Sequence, residues 1–229
     1  MGVRPSSARP RQLSGAGIVP AVRGVLDVPG EAGPHPGVIL LVGSAGWHAR
    51  FAEITRPLAE AGFAVLLLDY LAETGLEPSP EETRRHLPLW QAMLRNAVTW
   101  LGGSPFASGR PVGLIGYSLG AFLALSTAAT LPGVRAVVDF FGWMGPPGEQ
   151  VRGLPPLLIL HGEADSVVPV SEAYRLRDAV IAQGGHAEMH LYPAAEHAFN
   201  APWGPRYSEP EAMDSLRRTI EFLSRQLGR

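Results

Sequence analysis

The sequence predicts an α/β fold in which helices cover both faces of a mostly parallel, twisted sheet. From about residue 37 onward, short apolar runs of strand length alternate with stretches of helical periodicity. The apolar runs are continuous, as in strands buried on both faces of a parallel sheet. Each intervening stretch has room for the helix that a parallel crossover requires.

The strands follow from apolar runs that end in small or polar residues. In chain order these runs are Val38–Val42, Phe63–Leu68, the stretch after Pro111, Val134–Phe140, Leu157–Leu160 and Ala187–Tyr192. Ahead of them, Ile18–Val28 has room for one or two short antiparallel strands.

The helices follow from periodicity and from signals at their ends. A first helix is expected near 49–62, and a second begins at Ser79-Pro80, has Glu82 for a capping box and ends near Gly102. A third helix follows the strand after Pro111. Ser171 is the expected cap of a fourth helix, 172–183, which stops at Gly184-Gly185. Ser208 and Glu211 predict a second capping box, on a terminal helix that reaches about Gln226.

The chain is expected to have one domain, 15–229, preceded by a flexible tail over residues 1–14. There is no repeat, linker or composition break, and the segments between strands are too short for a large cap domain. Three arginines in the tail, Arg4, Arg9 and Arg11, leave a transit peptide as an alternative.

Composition excludes several classes of function. A net charge of −2 and a pI near 6.4 give no reason to expect a nucleic acid or an anionic membrane as partner. No apolar run is long enough to span a bilayer. The chain has no cysteine, which fits a cytoplasmic location and removes disulfides, thiolate metal sites and a cysteine nucleophile. No histidine pair with a carboxylate has metal-ligand spacing, so no metal is expected.

The most informative motif is Gly116-Tyr117-Ser118-Leu119-Gly120, between an apolar strand and a helix. A Gly-x-Ser-x-Gly turn in that place is typical of a nucleophile elbow, which exposes the serine hydroxyl above the sheet. A Cβ at either glycine would crowd the strand against the helix. The motif is short enough to arise by chance, and the alternative is a glycine-rich turn with an idle serine.

Two further residues come after strands, where ligands bind in open α/β sheets. Asp165 follows the strand at Leu157–Leu160, and His197 lies in the loop after Ala187–Tyr192. The chain order Ser118, Asp165, His197 is that of a known class of serine hydrolases. A serine hydroxyl needs an adjacent base, here His197, and Asp165 would fix the tautomer of that base. These three are the predicted catalytic residues.

An oxyanion hole requires two N–H groups near the serine. The backbone of Leu119, directly after the nucleophile, is one candidate. The loop Gly43-Ser44-Ala45-Gly46 follows the first long strand and offers the backbone of Ser44 or Ala45 as the other.

Other residues could take these places. Asp69 and Asp139 also follow strands and are alternatives to Asp165, which itself could be a turn former. Glu163 and Glu196 are expected to be solvated, and His161 to pack at its strand end.

The expected substrate pocket is aromatic. Its candidate residues lie in loops after strands, and each of the aromatic ones could equally pack in the core. They are Trp47, His48, Tyr70, Trp143, Phe199 and Trp203.

From about residue 20 to residue 228 the sequence resembles the dienelactone hydrolase family of α/β-hydrolases. The matching segments are Gly62–Val65 with Asp69-Tyr70, Gly116–Gly120, Leu160–Asp165 with Val168-Pro169, and Tyr192-Pro193 with His197–Asn200. The resemblance implies the α/β-hydrolase fold without a large cap and a cofactor-free hydrolase of small esters or lactones, with Ser118, His197 and Asp165 as its triad.

Two departures from that family point to a plain serine site. The dienelactone enzymes have cysteine in the elbow and a glutamate after the first long strand, whereas this chain has Ser118 and the acid-free stretch Val42–Gly46. We therefore expect a serine hydrolase that cleaves a small-molecule ester or lactone through an acyl-serine intermediate. Acyl transfer or peptide and amide hydrolysis on the same triad are alternatives, as is a non-catalytic binding protein. The sequence does not indicate the oligomeric state.

Overall fold

A single sheet forms the centre of the structure, a computed structural model that describes residues 11–12, 22–46, 49–145 and 152–229. Its strands in these ranges are β1 (Arg11–Gln12), β2 (Gly24–Asp27), β3 (Gly37–Leu41), β4 (Ala64–Leu68), β5 (Val112–Tyr117), β6 (Val134–Phe140), β7 (Leu157–Gly162) and β8 (Ala187–Tyr192). They lie in the order β1-β2-β4-β3-β5-β6-β7-β8. β2 is antiparallel to both β1 and β4, and all other neighbours are parallel. The predicted mostly parallel sheet is confirmed.

The helices in the described ranges are α1 (Ala52–Glu60), α2 (Pro80–Gly103), α3 (Leu119–Leu125), α4 (Ser171–Ala182) and α5 (Glu209–Leu227). Two glycines of β5 show how they cover the sheet. A Cβ on Gly113 would meet the Leu223 side chain of α5 at 2.9 Å, and one on Gly116 would meet Ala121 Cα of α3 at 2.4 Å. Because residues three apart in a strand face opposite ways, α5 and α3 lie on opposite faces. Helices on both faces are therefore confirmed.

Helix starts differ in part from the prediction. Ser79 and Glu82 form the expected capping box, in which each side chain accepts from the other residue's backbone N–H. Ser171 is not a cap but the first residue of α4, whose N-cap is Val170. Ser208 does precede α5, yet its hydroxyl donates to the Glu211 carboxylate rather than accepting a backbone N–H. The predicted cap at Ser171 and the second capping box were wrong.

The central strands are the core. Every residue of β3, β4, β5 and β7 is buried, whereas the edge strand β8 is mostly half-exposed. The carboxyl ends of the central strands thus form a rigid platform, and the functional loops begin there.

The predicted tail, 1–14, falls largely outside the described residues. Within it, Arg11 and Gln12 pair with Leu26 and Val25 as β1, so this part belongs to the sheet. Of the upstream segment Ile18–Val28, the part that is described contains one antiparallel strand, β2. No inserted cap domain occurs among the described residues. None of the described helices combines the length and the apolar character needed to cross a membrane.

Candidate active site

Ser118 lies on the sharp bend between β5 and α3. Its backbone has φ 51° and ψ −114°, a left-handed conformation that is rare for a residue with a Cβ. Its N–H donates to the Phe140 carbonyl at 3.0 Å, which ties the bend to the end of β6. A Cβ on Gly120 would lie 2.3 Å from the Leu41 carbonyl oxygen. The elbow geometry and the steric need for Gly116 and Gly120 are as the sequence predicted.

The structure brings together the three predicted catalytic side chains. His197 Nε2 lies 3.1 Å from Ser118 Oγ, and His197 Nδ1 lies 2.7 Å from Asp165 Oδ2. A carboxylate can only accept, so Nδ1 carries the proton and Nε2 is left to accept from the serine. His197 is 12% exposed and Asp165 is fully buried. The imidazole thus has the tautomer and position of a general base toward Ser118.

Asp165 is held by its own loop as well as by His197. Its Oδ1 accepts from the Val167 N–H at 2.9 Å and the Val168 N–H at 2.7 Å. Burial alone would raise the pKa of Asp165, but the hydrogen bonds from His197 and these two N–H groups hold the pKa below its ordinary value. Asp165 is therefore an anion that faces the imidazole.

A second histidine lies behind this pair. His161, at the end of β7, is buried, and its Nε2 lies 2.9 Å from the Val168 carbonyl and 3.5 Å from Asp165 Oδ2. Because a carbonyl oxygen only accepts, Nε2 carries the proton, and burial lowers the pKa of His161. A neutral His161 thus packs against the loop that holds Asp165, which is the packing role expected for it.

Phe141, which is not among the six predicted pocket residues, contacts the ring of His197. The ring centroids are 4.8 Å apart and the planes are inclined at 62°. Phe141 has φ 41°, and this strained conformation directs the ring from the end of β6 toward the histidine. Behind it lies Phe199, which is fully buried. No sequence signal reports a positive φ at a phenylalanine.

The loop after β3 forms a tight turn beside the elbow. The Gly46 N–H donates to the Gly43 carbonyl at 2.9 Å, a bond that leaves the N–H groups of Ser44 and Ala45 available. A Cβ on Gly43 would lie 3.6 Å from Ser118 Cβ, so the turn lies against the nucleophile. As the first residue of α3, Leu119 has an N–H without an intrahelical acceptor. The turn and the start of α3, which contain the three predicted oxyanion donors, therefore both adjoin Ser118.

Two spaces flank Ser118, and both are lined by Ser44. The His197 cavity has a volume of about 160 Å³ and is also lined by Phe51, Ile54, Tyr117, Phe141, His197, Asn200, Ala201 and Trp203. The larger Trp143 groove has a volume of about 720 Å³ and is also lined by Leu119, Phe122, Trp143, Arg84, Val168 and Arg175. Both are largely apolar, with Ser118 at their junction.

Of the six predicted pocket residues, two line these spaces. Trp203 lines the His197 cavity, and Trp143 lines the groove, where it stacks on Phe122 at 5.1 Å. Tyr70 was a wrong prediction: it is fully buried, donates its hydroxyl to the Val42 carbonyl and packs on Trp90. Phe199 was also wrong as a lining residue, since it lies behind Phe141. Trp47 and His48 lie outside the described residues.

The groove contains two arginines that the sequence did not place near the serine. Arg175 is paired with Glu172 and donates to the Met144 carbonyl at 3.2 Å. Arg84 projects from the first turns of α2. Both come from helix starts, and no strand-end pattern could indicate them.

The alternative acids have other surroundings. Asp139 is fully buried beneath α3, where a Cβ on Gly142 would lie 2.1 Å from its Oδ1. Asp69 follows β4, and its N–H donates to the Arg23 carbonyl. Glu196 accepts from the Ser166 hydroxyl and backbone N–H, and is partly exposed. The carboxylate against His197 is that of Asp165.

In the described ranges, no three histidine, aspartate or glutamate side chains are grouped so that they could hold a metal ion. The side chains around Ser118 instead offer a hydroxyl, an imidazole, a carboxylate and backbone N–H groups. That set can carry out acyl transfer to the serine.

Comparison with known proteins gives consistent matches. Residues 22–227 match the model of the dienelactone hydrolase family. The chain is 28% identical over 233 residues to the Methylorubrum extorquens protein named "Putative carboxymethylenebutenolidase", covering 93% of this chain and 78% of that protein. It is 36% identical over 140 residues to human "Acyl-coenzyme A thioesterase 1", covering 59% of this chain and 31% of that protein.

Among solved structures, the fold is similar to that of a dienelactone hydrolase-like promiscuous phosphotriesterase, P91, from metagenomic libraries. The TM-score is 0.82 at 22% identity, covering 95% of this chain and 98% of that one. A putative dienelactone hydrolase from Klebsiella pneumoniae gives a TM-score of 0.76 at 23% identity, with 89% and 93% covered. At such identities the likeness shows the fold.

Proposed function

The chain belongs to the dienelactone hydrolase family, a family of ester-bond hydrolases, and we propose that it cleaves a small carboxylic ester or lactone through an acyl-serine intermediate. In this proposal Ser118 is the nucleophile, His197 the general base and acid, and Asp165 the residue that orients His197. The observation that supports it best is the continuous chain of hydrogen bonds from Asp165 through His197 to Ser118.

The first half of the reaction would transfer the acyl group to the enzyme. Ser118 Oγ attacks the ester carbonyl carbon while His197 Nε2 takes the hydroxyl proton. The resulting imidazolium is stabilised by the Asp165 anion. As the tetrahedral intermediate collapses, the ester C–O bond breaks and His197 returns the proton to the leaving oxygen.

The developing oxyanion requires donors that are already in position. The Leu119 N–H and one N–H from Ser44 or Ala45 would supply them, because all three lie beside Ser118. In the second half, water replaces the alcohol. His197 takes a proton from the water, hydroxide attacks the acyl carbon, and the proton passes to Ser118 Oγ as the acid leaves.

The substrate is proposed to be other than dienelactone itself. The turn after β3 carries Gly43 and Ser44, with no carboxylate to govern a cysteine thiol, and the elbow carries a serine. A neutral ester suits a site whose two flanking spaces are mainly apolar.

The proposal is tested with a fluorophosphonate probe and a panel of p-nitrophenyl esters and lactones. We expect the probe to label Ser118, and Ser118→Ala to lower kcat by on the order of 10⁶-fold with the fold retained. Ser171→Ala, at an exposed serine that lines neither space beside Ser118, is the control and should remain labelled. Full esterase activity in Ser118→Ala would contradict the proposal.

A further inference from the structure

A third space adjoins the His197 cavity on the side away from the groove. This Met213 cavity has a volume of about 150 Å³, lies between α1 and α5, and is lined by Leu58, Phe140, Met213 and Thr219 among others. Three residues line both cavities: Ile54, Tyr117 and Asn200. They are the wall between the two cavities.

We propose that the His197 cavity holds the leaving alcohol group of the ester and that this wall limits the size of the alcohol. The proposal rests on the proposed function, which it deepens by assigning the two parts of the substrate to separate spaces. The acyl part would then lie in the Trp143 groove.

The alcohol group is assigned to the His197 cavity because its oxygen must receive a proton from His197. The leaving oxygen must reach His197 Nε2, because that atom returns the proton taken from Ser118. Both spaces include Ser118 and Ser44, but His197 is among the lining residues of the His197 cavity and not of the groove. A leaving oxygen at Nε2 therefore directs the group attached to it into the His197 cavity.

The volume of the cavity sets the expected limit. An apolar cavity of about 150 Å³ holds one benzene molecule, so about 160 Å³ accommodates a group of about six carbon atoms. Phe51, Ile54, Phe141 and Trp203 give it apolar walls, and no lysine or arginine is among its lining residues. The matching alcohol is short, neutral and apolar.

Two contacts hold Tyr117 in place in the wall. Its ring stacks on Phe140 at 4.6 Å, and its hydroxyl is hydrogen-bonded to the side chain of Asn200. Tyr117 also precedes the nucleophile, so changing it would disturb the elbow. Ile54, in the first turn of α1, is the part of the wall that can be shortened without touching the elbow. Its truncation would join the cavities and roughly double the space beside His197.

The test measures kcat/KM for two substrate series in the wild type and in Ile54→Ala. One series keeps acetate and lengthens the alcohol from ethyl to decyl. The other keeps p-nitrophenol and lengthens the acyl chain. We expect wild-type kcat/KM to fall beyond about six alcohol carbons, and Ile54→Ala to raise kcat/KM for octyl acetate at least tenfold. The acyl series should keep its profile.

Two further variants, Met213→Ala and Ala201→Leu, serve as the control and as the complementary change. Met213→Ala enlarges the Met213 cavity without opening the wall, and should leave the alcohol profile unchanged because Met213 is an exposed residue that does not line the His197 cavity. Ala201→Leu fills the His197 cavity from its partly exposed side, and should shift the profile to shorter alcohols even if Ile54→Ala fails to fold.

Fluorophosphonate labelling of each variant distinguishes failure of the proposed function from failure of the proposed alcohol site. An unlabelled wild type that hydrolyses no ester would overturn the proposed function, and this assignment with it. If the variants are labelled but their alcohol profile is unchanged, the wall does not limit the size of the alcohol, and only that part of the proposal is overturned. A shift in the acyl series instead would place the acyl group in the His197 cavity and overturn the assignment of the alcohol.

Discussion

The backbone N–H of Glu77 donates a hydrogen bond of 2.8 Å to the carbonyl oxygen of Ser44. Because the peptide unit is planar and trans, fixing this carbonyl also fixes the direction of the Ala45 N–H. The adjacent Leu76 side chain packs so closely on the turn that a Cβ on Gly46 would lie 2.3 Å from Leu76 Cδ2. The loop between β4 and α2 thus holds the turn that contains two of the proposed oxyanion donors.

Loosening this loop should lower activity from a distance. The buried Trp90 donates its indole N–H to Thr74 Oγ1 at 3.0 Å, which anchors the loop to α2. Thr74→Val leaves that N–H unsatisfied, at a cost of about 1–3 kcal/mol in the free energy of unfolding. We expect kcat to fall by up to about tenfold, less than the 10²–10³-fold typical of losing an oxyanion donor outright.

Urea denaturation and steady-state kinetics on a short ester measure both effects. Thr99→Val is the matched control, because Thr99 lies on the exposed face of α2 and its hydroxyl donates only to the Arg95 carbonyl. Unchanged kcat in Thr74→Val would show that the loop does not hold the turn in a functionally important position.

The parts of the fold that the sequence predicted are those set by periodic burial. The runs Val38–Val42 and Phe63–Leu68 predicted β3 and β4, because a sheet buried on both faces accommodates such continuous apolar runs. The ends of three further strands, β5, β7 and β8, position Ser118, Asp165 and His197, so the chain order of these residues carried information about the site.

What the sequence could not predict depends on the direction of single side chains. Tyr70 and Trp143 both follow a strand end in a loop, yet Tyr70 turns into the core and Trp143 toward the groove. Loop backbone angles decide this, and neither residue type reports them. The ring of Phe141 contacts His197 because the backbone of Phe141 has a positive φ, which its residue type disfavours. The start of α4 at Ser171 was likewise decided by the loop conformation at Val170 rather than by a cap side chain.

The two buried aspartates, Asp139 near the end of β6 and Asp165 after β7, should differ sharply in their effect on catalysis. Asp165→Asn removes the anion that fixes the His197 tautomer, and we expect kcat to fall by about 10³- to 10⁴-fold. Asp139→Asn is the matched control, a buried aspartate on the neighbouring strand, and should keep kcat within a few-fold. Kinetics with a p-nitrophenyl ester measures both, and the reverse ranking would make Asp139 the acid.

Asp139 should instead govern how stability depends on pH. Burial raises its pKa to about 7, although the Gly142 N–H opposes the rise, and neither carboxyl oxygen has a well-aligned partner among the described residues. The unfolded chain loses this proton near pH 3.9. Between about pH 4 and pH 7 the folded state alone holds it, so the free energy of unfolding should fall as the pH rises through that window.

Asparagine does not titrate, so Asp139→Asn removes this contribution and leaves all others in place. Relative to the wild type, the variant should gain a few kcal/mol between pH 5 and pH 8, as measured by urea denaturation at both values. Stability curves that run parallel for the two proteins would show that Asp139 keeps an ordinary pKa.

Gly120 should be irreplaceable because it sets the distance between α3 and β3. A Cβ there would lie 2.3 Å from the Leu41 carbonyl oxygen and 2.5 Å from that of Val42, and backbone atoms cannot move aside as side chains can. Gly120→Ala must push the start of α3 away from β3, which moves Ser118 from the turn at Gly43. We expect a loss of about 3 kcal/mol in the free energy of unfolding, the upper end of the usual cost of overpacking. The rate of fluorophosphonate labelling should also fall.

The contrast with Gly102 isolates the steric cause. Gly102 lies in the last turn of α2, and a Cβ there would meet nothing within 4 Å. Gly102→Ala should therefore gain up to about 1 kcal/mol from helix propensity and leave labelling unchanged. Urea denaturation and labelling rates of both variants distinguish a steric clash at Gly120 from a general effect of replacing glycine by alanine. If Gly120→Ala were as stable as Gly102→Ala and labelled at the wild-type rate, the elbow would not depend on this close approach of helix and strand. The glycines around Ser118 would then have to be explained by backbone conformation alone.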